Sequence, residues 1–149
     1  MSELTHFEQR LAGLIEKLSP TNRRRLAADI AKQLRISQQQ RIKRQQAPDG
    51  TPYAARKAQP IRGKKGRVKR AMFVKLRTNR YMTAKGTQEA ATVVFVGQVQ
   101  RMARVHQEGL RDRTGRLGGE VRYDSRPLIG ISNNDIKEIE LTIINYFSI

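Results

Sequence analysis

Between residues 54 and 70 the chain shows no helical or strand period, and this gap limits how everything else can fold. It carries Arg56, Lys57, Arg62, Lys64, Lys65, Arg67, Lys69 and Arg70, with Gly63 and Gly66 among them, no acid and scarcely any apolar side chain. Such a segment buries too little to offset an ordering cost of roughly 1 to 2 kcal/mol per residue, so it reads as a basic flexible loop. Any core must be assembled from the stretches on either side.

On the N-terminal side, residues 1–46 predict a helical hairpin. Thr5-His6-Phe7-Glu8 fits a capping box, and Phe7, Leu11, Leu14, Ile15 and Leu18 recur on one helical face. Ser19-Pro20 has the form of an N-cap followed by proline at the first helical position, where its missing N–H costs nothing. A second helix follows, with Leu26, Ile30 and Leu34 as its stripe. Beyond Ile36 it becomes a polar run of Gln, Arg and Lys, expected to face solvent or a partner. Two prolines and Asp49-Gly50 in residues 47–53 force a turn.

On the C-terminal side, a short helix is expected over residues 68–76, with Met72, Phe73 and Leu76 turned inward. Residues 81–85 and 90–96 read as a β-hairpin, the second strand β-branched enough to be internal. A helix over 98–106 should end at Gly109. Residues 120–123 and 128–131 are further strand candidates, with Pro127 biasing Arg126 toward an extended backbone at a strand entry. A last helix starts at Ser132 or Asn133, and Asp135 in its first turn complements the helix dipole. Its stripe of Ile136, Ile139, Ile143 and Phe147, widened by Leu141 and Ile144, calls for more than one packing surface. The expected fold is therefore α+β: an N-terminal helical hairpin (1–46), a basic loop or arm (47–70), and a core (71–149) with a small antiparallel sheet and a C-terminal amphipathic helix. Together these make one domain over 1–149.

The 149 residues include 30 Lys/Arg against 13 Asp/Glu, a net charge of +17. Residues 23–80 alone hold nineteen of those cations and two acids, so the flanks are nearly neutral. A field so concentrated attracts phosphate backbones or acidic protein surfaces. No run approaches the length of a membrane helix and residues 1–5 lack a signal-peptide pattern, so no membrane partner and a cytoplasmic origin are expected. The absence of cysteine removes disulfides, thiolate nucleophiles and thiolate zinc sites.

Catalytic chemistry finds little support. His6 and His106 are the only histidines, at no ligand spacing, and a structural role at a helix end suits His106 better than catalysis. Glu138 and Glu140 lie two apart on a helix and diverge. Gly63-Lys64-Lys65-Gly66-Arg67 lacks the Gly-Lys-Ser/Thr ending and the preceding strand of a phosphate loop. No cofactor and no metal are expected. The basic segment suits phosphate contacts by counterion release, but only Tyr53 and Phe73 are near enough in sequence to stack on bases.

Several runs, taken in order, resemble the phage virion morphogenesis family, which contains the tail completion proteins of contractile-tailed temperate phages. They are Phe7-Glu8-Gln9-Arg10-Leu11 with Leu14-Ile15; Leu18-Ser19-Pro20 with Arg23-Arg24-Arg25-Leu26; residues 47–53; residues 66–73; Val105-His106-Gln107-Glu108-Gly109; and residues 126–132. The resemblance implies a non-enzymatic structural protein that caps the head-proximal end of the tail and enables head-tail joining. It further implies a homo-oligomeric ring matching the sixfold tail, with tail tube and head connector proteins as partners and a place in the virion after assembly in the host cytoplasm. On that reading the eight cations from Arg56 to Arg70 contact tail or DNA, and His106, Arg126, Ile139, Ile143 and Phe147 line a subunit interface. The alternative is a basic nucleic-acid-binding protein working through phosphate contacts.

Overall fold

A computed structural model describes residues 2–56, 71–113 and 118–147, with the side chains of residues 2–4 excepted. The order is α1 (Ser2–Glu16), α2 (Pro20–Lys43), β1 (Met82–Gly86), β2 (Ala91–Phe95), α3 (Gly97–Glu108), β3 (Arg111–Arg113), β4 (Glu120–Arg122) and α4 (Asn133–Phe147). The α+β class is as expected. The strands form two two-stranded antiparallel ribbons, β1-β2 and β3-β4.

Two compact units emerge, each from discontinuous stretches. The first comprises Met1–Arg35, Ala84–Val94 and Asn133–Ile149, the second Ile36–Thr83 and Phe95–Ser132. In the first unit Leu11, Leu26 and Ile143 are buried, with Phe7, Ile15, Leu18, Ile30, Ile139, Tyr146 and Phe147 packed around them. The expected stripes of α1, α2 and α4 therefore meet, although Leu14 stays exposed. The Ser19 hydroxyl accepts from Asn22 N–H at 3.2 Å and caps α2 as its sequence requires. α1 starts at Ser2, so Thr5 lies inside the helix and does not set its boundary. Gly86 lies against α2 so closely that a Cβ would sit 2.2 Å from the Ala28 nitrogen, which only glycine permits.

The second unit departs further from expectation. The polar end of α2 does not face solvent: Gln38, Arg41 and Ile42 are 2%, 4% and 0% exposed. Gln38 accepts from Gly130 N–H and from the Arg41 guanidinium, and Arg41 donates to the Gly130 carbonyl at 2.9 Å, so buried side chains satisfy buried main chain. For the same reason residues 128–131 are not a strand. The Gln107 side-chain Oε1 accepts from the N–H groups of Leu128 and Ile129 at 2.7 and 3.0 Å, which a ladder partner would otherwise hold.

Residues 71–76 form turns and no helix, because Phe73 takes a left-handed backbone (φ 65°) that interrupts helical geometry. Residues 68–70 of that expected helix lie outside the described residues. β2 has β1 as its one neighbour among the described residues, and its alternating burial is that of a half-covered strand rather than an internal one. α3 ends where expected, at Gly109 with φ 69°. The turn expected over 47–53 is also present: Ala47 N–H donates to the Thr51 carbonyl at 2.8 Å, and Gly50 sits at φ 89°. No helix among the described residues is long and apolar enough to cross a membrane.

Candidate functional site at the root of the basic segment

Of the eight cations singled out in sequence, Arg56 is described and exposed. Lys57, Arg62, Lys64, Lys65, Arg67, Lys69 and Arg70 lie outside the described residues. The chain that leads into this segment and the chain that returns from it are both held in the second unit.

On the outgoing side, Tyr53 N–H donates to the Gln45 carbonyl and Tyr53 hydroxyl to the Pro127 carbonyl, each at 2.8 Å. Burial pushes the Tyr53 phenol up to about 12, with Arg41 pulling the other way, so the hydroxyl stays a donor. Arg126 Nε donates to the Ala54 carbonyl at 2.8 Å and its guanidinium to the Ala55 carbonyl at 3.0 Å. One planar fork thus grips two successive peptides just before Arg56. Arg126 is 6% exposed, with the Asp124 carboxylate 3.8 Å away, so it is neither solvated nor at a strand entry.

On the returning side, Gln45 Nε2 donates to the Met72 carbonyl while Met72 N–H donates to Gln45 Oε1, both at 2.9 Å. Phe73 then joins a ring series. Its centroid lies 5.7 Å from Tyr53 and 4.9 Å from His106, and His106 lies 5.0 Å from Tyr123, all edge-on. Incoming and outgoing chain are therefore stitched to α3 through one line of rings.

His106 supplies the middle of that line. Burial holds its imidazole below the usual histidine pKa, the nearby Arg126 charge adds to this, and Asp112 opposes it. Its main-chain carbonyl accepts from Arg126 N–H at 2.7 Å, so two residues proposed from sequence as interface members are direct neighbours. Ile139, Ile143 and Phe147 belong to the first unit, where Ile143 is buried and the other two are half-buried.

Sequence reasoning passed over Gln45, Gln107 and Tyr123. No local signal marks a glutamine destined to bond main chain, although the resemblance did quote residues 105–109 and 126–132 as separate runs. Among the described residues no group of three His, Asp or Glu side chains could hold a metal ion. The arrangement mounts a strongly cationic stretch of chain by contacts on both sides of it.

The described residues form a small α+β scaffold that holds the chain on both sides of a polycationic segment. Residues 2–148 match the phage virion morphogenesis family, and the chain belongs to it, as its ordered motifs implied. It is 48% identical over 145 residues, 97% of either chain, to the tail completion protein S of Escherichia phage P2. No solved structure matches it.

Proposed function

We propose that this protein is a structural, non-catalytic component that completes the phage tail. It caps the head-proximal end and presents a surface for the head connector. The observation that carries this reading is the end-to-end likeness to a tail completion protein. The protein acts as a homo-oligomeric ring of six around the tail axis, with α4 as a subunit contact: Ile136 and Leu141 stand 42% and 52% exposed beside half-buried Ile139 and Phe147. His106 and Arg126 contribute to such contacts by shaping the mount. The cations from Arg56 to Arg70 grip the tail tube end or the DNA beside it by charge.

A lysate of phage lacking the gene tests this reading. It should contain DNA-filled heads and unjoined tails in electron micrographs, and normal joined particles would overturn it. Replacing Arg62, Lys64, Lys65 and Arg67 with Ser should leave the melting temperature unchanged and weaken attachment to tails, and wild-type attachment should weaken as salt rises.

A further inference from the structure

One nitrogen at the neck of the basic segment is enclosed without a partner. His106 Nδ1 forms no hydrogen bond among the described residues, whereas Nε2 of the same ring is not enclosed in this way. Buried polar atoms are nearly always paired, so the exception calls for a physical reason. The neutral imidazole carries one N–H, which Nε2 can present to water, and leaves a lone pair at Nδ1. The ionised ring carries an N–H on both nitrogens, and the second of these would be buried with nothing to receive it.

The groups around the ring are already committed. The returning chain brings Phe73, which does not titrate, with the Tyr53 phenol behind it and the Arg41 charge acting on that phenol. The Tyr53 hydroxyl donates to the Pro127 carbonyl. β3 brings Asp112, whose Oδ1 accepts from Arg101 and from Arg113 N–H, each at 2.9 Å. The stretch after β4 brings Tyr123, Asp124 and Arg126, with Asp124 3.8 Å from Arg126. On α3 itself Arg104 and Glu108 pair at 3.0 Å. The Ala54 and Ala55 carbonyls accept from the Arg126 fork. Turning the ring to offer Nδ1 to water would break its edge contacts with Phe73 at 4.9 Å and Tyr123 at 5.0 Å.

We propose that His106 is a proton-sensitive latch on the neck: a proton taken up by its imidazole loosens the hold of Arg126 and Phe73 on the chain at both sides of the basic segment. Two contacts convert the proton into a change of shape. The charged ring repels the Arg126 guanidinium, which is the fork on Ala54 and Ala55 just before Arg56. In seeking an acceptor it also leaves Phe73, which follows Met72 on the returning chain. One ring therefore serves the outgoing and the returning side together. Near neutral pH the ring is uncharged and the neck is held, and on acidification below the ordinary histidine range it loosens before most carboxylates titrate. What this does to attachment rests on the proposed role of the basic segment, while the loosening itself does not.

The test uses the full chain, which has no cysteine, so Arg56→Cys places a single nitroxide label at the exposed root of the segment. Its electron paramagnetic resonance line shape is recorded at about pH 7.5 and about pH 5.5, on either side of an ordinary histidine and above the carboxylates. The mobile fraction should rise as pH falls, by at most about tenfold per pH unit, the limit for one proton. A label introduced separately by Arg24→Cys, at an exposed position of α2, should keep its line shape. His106→Phe keeps a ring beside Phe73 and Tyr123 but takes up no proton, so in that background the Arg56 label should not respond to pH. His106→Gln gives the same reading should the Phe variant fold poorly. An Arg56 label that ignores pH with His106 present overturns the proposal, as does an equal response without the histidine. A matching rise at Arg24 also overturns it, since the loosening would then be general. The label is read on the isolated chain, so its failure and the failure of the tail reading, scored in the null lysate, are independent.

Discussion

Gln45 and Met72 bind each other as two amides do, each donating an N–H and accepting with a carbonyl at 2.9 Å. The pair closes the neck of the basic segment from the returning side. Gln45 manages this from a left-handed backbone at φ 57°, just past the end of α2, where a side chain is sterically costly. Two effects of opposite sign therefore meet at one residue. Gln45→Ala should destabilise the protein by about 1 to 3 kcal/mol, since it strips Met72 of both partners and keeps the strain. Gln45→Gly should lose less, because glycine adopts positive φ freely. Chemical denaturation of the two variants reads the difference, and equal losses would show that the strain contributes nothing.

Arg126 closes the neck from the outgoing side. Arg126→Ala leaves the Ala54 and Ala55 carbonyls without their donor and should cost roughly 1.5 to 3 kcal/mol, as hydrogen bonds to charged groups do. Arg126→Lys should recover little of this, because an ammonium cannot place two donors in the plane of two successive carbonyls. Thermal melts of both variants, with hydrogen exchange at Tyr53, distinguish the loss of the fork from a loss of charge.

His106 makes stability depend on pH in a defined direction. Its folded pKa lies below the ordinary value of 6.5, so near neutral pH and above it the imidazole is uncharged whether the chain is folded or not. As pH falls below 6.5 the unfolded chain takes up a proton that the folded chain resists, and stability falls until the folded pKa is passed. The slope for this one group cannot exceed about 1.4 kcal/mol per pH unit. His106→Gln should flatten the melting temperature between roughly pH 6.5 and pH 5, above most carboxylate titration. A profile identical to wild type would remove His106 as the source.

The stripe of α4 should divide into two behaviours. Ile143 is buried with Leu11 and Leu26, so Ile143→Ala should cost about 2 to 5 kcal/mol. Phe147 is half-buried, and Phe147→Ala should cost roughly 1 to 3 kcal/mol, below the fully buried range. Ile136→Ser and Leu141→Ser remove exposed side chains and should stay within about 0.5 kcal/mol in the melt. On the proposed ring they should still lower the oligomer mass in analytical ultracentrifugation. Unchanged mass would free this helix face from the assembly.

What the amino-acid sequence determined by itself is the set of elements with local causes. Ser19 and Pro20 start α2, Gly109 ends α3, the β-branched run of β2 and the turn at 47–53 form where expected, and α1, α2 and α4 each carry an apolar stripe. Each depends on neighbours within about one or two helical turns, a range over which periodicity and capping are readable. The tertiary structure alone decided the use of the polar residues. Gln38 and Arg41 were expected to face solvent or a partner and instead bond Gly130 across 92 and 89 positions, while Gln107 replaces a strand partner for Leu128 and Ile129 across 21 and 22. A glutamine has the same helical preference in water as when its amide is spent on distant buried main chain. Only the fold brings that main chain within reach, and with it the rings and guanidinium that mount the basic segment.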